Sequence, residues 1–150
     1  MPDRKTPPPE PARTRILLVD DHALFRRGLT ALIETEPDLV VCAEAATHQA
    51  GLNAIAAAKP DLVIADLSVV DSDGLELIKD IKTRFPRLPV LALSMHEGAT
   101  YAERALRAGA RGYVAKEELD GTVLTAIRRV LAGGIYTSEA MSRTANPVLA

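Results

Sequence analysis

A chain of 150 residues, 47% hydrophobic and 25% charged, has the length and make-up of one globular domain with a core of its own. A formal net charge of −2 excludes overall attraction to nucleic acid or anionic membrane, and a lone cysteine, Cys42, excludes an internal disulfide. No apolar run is long enough to span a bilayer and the N-terminus lacks the apolar stretch of a secretory signal, so the chain reads as cytoplasmic.

Residues 1–14, MPDRKTPPPEPART, combine proline with charge and read as a disordered leader. From Arg15 onward short apolar runs alternate with helical patterns. Ile16–Val19 is the first strand, running into two adjacent acids, Asp20 and Asp21. Asp21 is placed either to cap the following helix or to serve chemistry with Asp20. That helix carries Phe25, Leu29, Leu32 and Ile33 on one face. Leu39–Ala45 is the second strand, with Cys42 as a small core residue. An alanine-rich helix opens at His48, read as solvated, and stops at Pro60. Leu62–Ala65 is the third strand. The third helix presents Leu75, Ile78 and Ile81 inward, with Pro86 and Pro89 at its end. Val90–Leu93 is the fourth strand. The fourth helix closes at Gly109 and holds Tyr101, either an ordinary amphipathic tyrosine or a partner contact. Gly112–Ala115 is the fifth strand. The fifth helix carries Val123, Leu124, Ile127, Val130 and Leu131 and ends at Gly133 and Gly134. Residues 136–150 lack periodicity and read as a linker or tail, leaving 15–135 as the folded domain.

Five strands separated by five helices predict an α/β fold, a doubly wound parallel sheet covered on both faces. In such sheets ligands bind at the carboxyl ends of the strands. Those ends read Asp20 and Asp21, Asp66, Ser94 and Lys116: three carboxylates, a hydroxyl and an ammonium, none interrupting a strand. Three close carboxylates need a cation, and Mg²⁺ takes oxygen ligands while leaving room for phosphate. A carboxylate can also attack phosphorus. The set fits phosphoryl transfer onto an aspartate, with Lys116 supplying charge and Ser94 a hydrogen bond.

The runs "VDDH", "DLVIADLSVVDSDGLELI", "LALS" and "GYVAK", in this order, resemble the receiver domains of two-component response regulators over about residues 15–135. "DDHALFRRGL", "RALRAGARGYVAKE" and "AIRRVLAGGIYTS" are similar to the subgroup usually followed by a LuxR-type helix-turn-helix DNA-binding domain. The resemblance implies a flavodoxin-like (βα)5 fold of strand order 2-1-3-4-5, with five parallel strands. It implies Asp66 as the phosphoacceptor and Ser94 and Lys116 as its catalytic partners. It further implies Ser94 and Tyr113 as the switch, and a Mg²⁺ (or Mn²⁺) site from Asp20, Asp21, Asp66 and the backbone carbonyl of Ser68. His96 falls where access of water to an aspartyl phosphate is tuned, or is a surface histidine. His22 beside the acids makes a poor transition-metal motif with His96.

The implied partners are a sensor histidine kinase, a second copy in a weak homodimer, and DNA only through an output domain missing from these residues. No membrane is involved. The implied activity is self-catalysed phosphotransfer and autodephosphorylation, without turnover of a separate substrate. Two departures stand out. The loop after Asp66 reads "DLSVVDSDG", with Val70 and Asp71 where the family commonly has "DLxMPxMDG". Lys116 is followed by Glu117 rather than the frequent proline, so a trans bond is expected there. Two alternatives stay open: a receiver-like interaction module that takes no phosphate, and a metal-dependent phosphatase with an aspartate nucleophile. Against the latter, Ser68 stands where a second acid is needed and no cap insertion is visible.

Overall fold

The computed structural model describes residues 13–67, 74–95, 99–116 and 121–137. In chain order the elements are β1 (Thr14–Val19), α1 (Ala23–Ile33), β2 (Leu39–Ala45), α2 (His48–Ala58), β3 (Leu62–Asp66), α3 (Gly74–Arg84), β4 (Val90–Ser94), α4 (Ala99–Ala108), β5 (Gly112–Ala115), α5 (Gly121–Leu131) and β6 (Tyr136–Thr137). All pairings are parallel, in the order β2-β1-β3-β4-β5-β6.

The expected doubly wound sheet is present, with one addition. Two residues, Tyr136 and Thr137, pair with Gly112 and Tyr113 as a sixth strand, so ordered structure runs two residues past the 15–135 span. The register of β1 against β2 slips between Ile16 and Leu17, leaving Cys42 as the extra residue of a bulge and half-buried, rather than a core residue.

The strands bury both faces. Leu17, Val19, Val63, Ala65, Val90 and Ala92 point to the layer of α2, α3 and α4. Their neighbours Ile16, Leu18, Leu62, Ile64, Leu91 and Leu93 point to α1 and α5. This explains the continuous apolar runs: with helices on both faces, neither parity of a strand faces water. Helix α2 comes close to β1 because Gly51 lacks a side chain. A Cβ there would meet Val19 Cγ2 at 3.1 Å. On α3 Ile78 and Ile81 are buried and Leu75 packs half-buried against the same cluster, as expected, and Leu77 joins them as a fully buried residue. On α5 the stripe is spent inside the domain: Val123, Ile127 and Val130 are buried, and Leu124 and Leu131 pack against them. His48 is not solvated as expected; its Nε2 lies 2.8 Å from Asp80 Oδ2, tying the start of α2 to α3.

Arg128 near the end of α5 clasps the turn before β2, donating to both oxygens of Asp38 (2.5 and 2.7 Å) and to Glu36 (3.1 Å). The guanidinium holds the Asp38 carboxyl below its ordinary value, and the two acids raise Arg128. Both partners are substantially exposed, so a double-mutant cycle of Arg128→Ala and Asp38→Ala should give a coupling of about 0.3–1 kcal/mol at neutral pH. Because the folded pKa of Asp38 lies below the unfolded one, that coupling is full above the ordinary carboxylate range and fades as acid protonates the folded carboxyl. Urea midpoints measured at neutral and acid pH check both parts.

Candidate functional site

Register assembles the site. Val19 pairs with Ala65, so Asp20 and Asp66 leave adjacent strands side by side. Asp66 pairs with Leu93 and Ser94 with Ala115, which brings Ser94 and Lys116 to the same edge. Asp66 and Ser94 are 0% exposed, Asp20 3% and Lys116 7%. These four are the buried polar and charged residues among the described ones. A fold that concentrates its buried polarity at one edge has a use for it there, since buried charge is costly unless compensated.

The compensation comes from Lys116. Its ammonium donates to Asp66 Oδ2 at 3.0 Å and stands 2.9 Å from Asp20 Oδ2, a close ion contact without hydrogen-bond alignment. The same ammonium lies 4.2 Å from the centre of the Phe25 ring, on the side of α1 facing the site. Arg26 fixes the other wall: its guanidinium donates to the carbonyl of Asp20 and pairs with Glu44 at 3.0 Å. The amide of Asp20 donates to the Ala45 carbonyl at 2.9 Å. The end of β1 is thus held to the end of β2 and to the first turn of α1.

Helix α1 is not capped by Asp21. Its N-terminal flanking residue is His22, whose amide donates to Asp20 Oδ1 at 2.8 Å. Asp21 takes no part in that cap. Its Oδ1 is buried and accepts no hydrogen bond among the described residues. Oxygens of Asp20, Asp21 and Asp66 and a ring nitrogen of His22 lie within 4.8 Å of one another. An orphaned carboxylate oxygen among three close acids, with one ammonium between two of them, fits a divalent cation held by oxygen. His22 Nδ1 stands 3.2 Å from Asp20 Oδ1 and 3.1 Å from Asp21 Oδ1, so the structure brings this histidine to the acids despite its poor motif.

Tyr113 is buried in the layer of α2, α3 and α4 and is 0% exposed. Ser68, Val70, Asp71, His96 and Glu117 lie outside the described residues, as do the side chain of Tyr101 and residues 1–12 of the leader. Phe25, Arg26 and Glu44 went unrecognised as site residues in the sequence. Phe25 carries only the signal of an apolar helix position, and the Arg26–Glu44 pair joins separate elements.

The response regulator receiver domain model matches residues 16–128. The chain belongs to that family. It is 36% identical over 143 residues to the nitrate/nitrite response regulator protein NarL of Escherichia coli strain K12, covering 94% of this chain and 62% of that one. Among solved structures, a LuxR-family two-component response regulator from Aurantimonas sp. SI85-9A1 superposes with a TM-score of 0.87 at 33% identity. That match covers 91% of this chain and 98% of the other. The isolated receiver domain of RcsB from Salmonella enterica serovar Typhimurium, in the presence of the phosphomimetic BeF3−, gives a TM-score of 0.80 at 26% identity, covering 88% and 98%. The chain spans 52% to 62% of the curated relatives it matches. Receiver domains bind Mg²⁺ at an acidic pocket and pair with sensor kinases, and response regulators are mostly signalling proteins rather than enzymes. No helix among the described residues is long and apolar enough to cross a membrane.

Proposed function

We propose that this receiver is a phosphorylation-controlled switch in which Asp66 accepts a phosphoryl group from a sensor kinase phosphohistidine. An Asp66 oxygen forms the new bond to phosphorus, the bond from phosphorus to the donor imidazole breaks, and the imidazole leaves with that electron pair. The observation that carries the reading is the ammonium of Lys116, shared between Asp66 at 3.0 Å and Asp20 at 2.9 Å. Once Asp66 has become an acyl phosphate, its oxygen no longer needs that charge and the phosphoryl oxygens do. Lys116 then moves its hydrogen bond without leaving the site.

Asp20, Asp21, Asp66 and the Ser68 carbonyl would hold Mg²⁺ or Mn²⁺, which supplies positive charge to the phosphoryl oxygens. Ser94, on the neighbouring strand end, offers its hydroxyl to another of them. Movement of Ser94 then changes the space beside β5, where Tyr113 is buried, and so alters the face formed by α4, β5 and α5. Leu24 is 82% exposed and Met95 64%; with His22, Phe25 and Lys116 they line a cleft of about 620 Å³ at the mouth of the site. Exposed apolar side chains beside a phosphoacceptor suit a protein donor that must dock before transfer. Control of a DNA-binding output in a longer protein is the part of the proposal that rests on the relatives.

Treatment with acetyl phosphate and Mg²⁺, followed by intact-mass measurement, tests the proposal. One labile phosphoryl group on Asp66 is the expected result. No uptake supports the unphosphorylated interaction module, and release of product without a stable adduct supports the phosphatase.

Mg²⁺ should also raise the melting temperature, because it binds the clustered acids of the native state and not the unfolded chain. The gain grows by about 1.4 kcal/mol for each tenfold rise in free Mg²⁺ above the dissociation constant. Asp21→Ala should abolish most of that gain in a thermal scan with and without EDTA.

Self-association follows the same logic. Since the α5 stripe is spent in the core, the proposed weak homodimer uses the outer surfaces of α4–β5–α5 or α1–α5. Sedimentation with and without BeF3− should show a dimer strengthened by the phosphoryl mimic. A strict monomer in both states sinks it.

A further inference from the structure

The sheet edge opposite Asp66, where the strands begin, holds a second polar feature. A cleft of about 570 Å³ opens there between the start of β4 and the ends of α3, α4 and α5. Its lining includes the apolar residues Leu88 and Leu131, both half-buried, with Val130 buried beneath the surface. The same lining includes three exposed cations, Lys82, Arg87 and Arg111. The acid in the lining is Asp61, and one of its oxygens already accepts the amide of Arg15 at 2.9 Å.

The three cationic side chains form no ion pair and no hydrogen bond among the described residues. The ordinary duty of cations at such an edge is to cap the carbonyl ends of helices. This protein shows what that looks like: Arg15 donates to the Ala58 carbonyl at the end of α2, at 2.9 Å. Lys82, Arg87 and Arg111 make no such bond. Lys82 is also pre-positioned. Gly109 (φ +124°) leaves the space in which the Lys82 stem lies, with its Cβ and Cγ each 3.2 Å from where a glycine-replacing Cβ would sit.

We propose that this cleft binds a mononucleotide, with its phosphates on Lys82, Arg87 and Arg111 and its base against the half-buried Leu88 and Leu131. Unpaired guanidinium groups match phosphate oxygens in pairs. The volume lies in the range of small-molecule sites, where an apolar wall and a few convergent polar groups fix the ligand. A bare phosphate would leave the apolar part of the lining unused. A nucleic acid backbone presents its charges from a convex surface, whereas these cations line a concavity.

The test is fluorescence titration of the whole chain with N-methylanthraniloyl-ATP in EDTA, which keeps metal out of the acidic pocket. Saturable binding is expected, displaced by ATP, displaced more weakly by tripolyphosphate and not by adenosine. Arg87→Ala and Arg111→Ala, both at exposed positions, should each weaken it by about tenfold while leaving phosphorylation of Asp66 intact. Asp66→Asn should leave nucleotide binding unchanged, so this proposal and the phosphoacceptor proposal fail separately. Absence of saturable binding at millimolar nucleotide overturns the inference. So does loss of binding in Asp66→Asn with the arginine variants unaffected. Displacement by tripolyphosphate as strong as by ATP would mean a bare anion site. Tighter binding of duplex DNA through Arg87 and Arg111 would mean a nucleic-acid surface. Either result overturns the nucleotide.

Discussion

Asp66→Asn should take up no phosphate from acetyl phosphate and Mg²⁺, a loss of at least about a thousandfold in rate, and should still fold. The amide occupies the volume of the carboxylate and keeps an oxygen able to accept from Lys116, now 3.0 Å from Asp66 Oδ2. What disappears is the nucleophile. Stability should change little: one buried partner of the ammonium becomes weaker, but one of three crowded acids loses its charge. For a chain of this length the two effects should leave the melting temperature within about 4 °C of wild type, the change produced by roughly 1 kcal/mol. Intact mass after the reaction reads the first part and a thermal scan the second. Stoichiometric phosphate on the folded variant would move the acceptor elsewhere.

Lys116→Ala should have the largest effect on stability. The substitution leaves Asp20 and Asp66, 3% and 0% exposed, side by side without their common cation. Removing one member of a buried ion pair costs about 3–5 kcal/mol, because the remaining charge stays desolvated. The deficit should be greatest in EDTA at neutral pH. Mg²⁺ should restore more stability to the variant than it adds to wild type, since the cation then does the work of the ammonium as well as its own. Urea unfolding of both proteins with EDTA and with Mg²⁺ gives the four numbers needed. A variant within about 0.5 kcal/mol of wild type in EDTA would show that Lys116 does not hold the acids together. Slower phosphorylation should accompany the loss, since the same ammonium is proposed to meet the phosphoryl oxygens.

The strand ends were legible in the sequence for a physical reason. An acid such as Asp66, directly after "LVIA", can be neither core nor ordinary turn without compensation, and parallel topology sends all such ends to one edge. The length and type of the long elements followed from periodicity. Less legible was whatever depends on two distant segments meeting. Arg128 finds Asp38, and His48 finds Asp80, only through the packing of helices. Arg26 reads as one more charged helix residue until the loop after β1 wraps over it. His22 has a weak metal pattern by spacing, yet the turn after β1 aims its ring at the acids. The two-residue β6 is too short to carry an alternation, and it forms because Tyr136 reaches the Arg111 carbonyl at the open edge of β5.

The order β2-β1-β3-β4-β5-β6 bears on how the chain can be made as well as on where its site lies. As the polypeptide leaves the ribosome, β1 is available first and β2 and β3 flank it. Each later strand then adds to an edge already formed, β4 on β3, β5 on β4 and β6 on β5. No strand has to be threaded between two that have paired, so assembly can keep step with translation and avoid the traps of reinsertion. The electrostatics arrive in a different sequence. Asp20 and Asp66 are neighbours as soon as β3 docks, whereas Lys116 emerges only after β5. Until then the nascent sheet carries an uncompensated pair of acids, and docking of the fifth strand supplies the ammonium that offsets part of their charge. The residue that settles the finished site is therefore also the one that rewards completion of the fold.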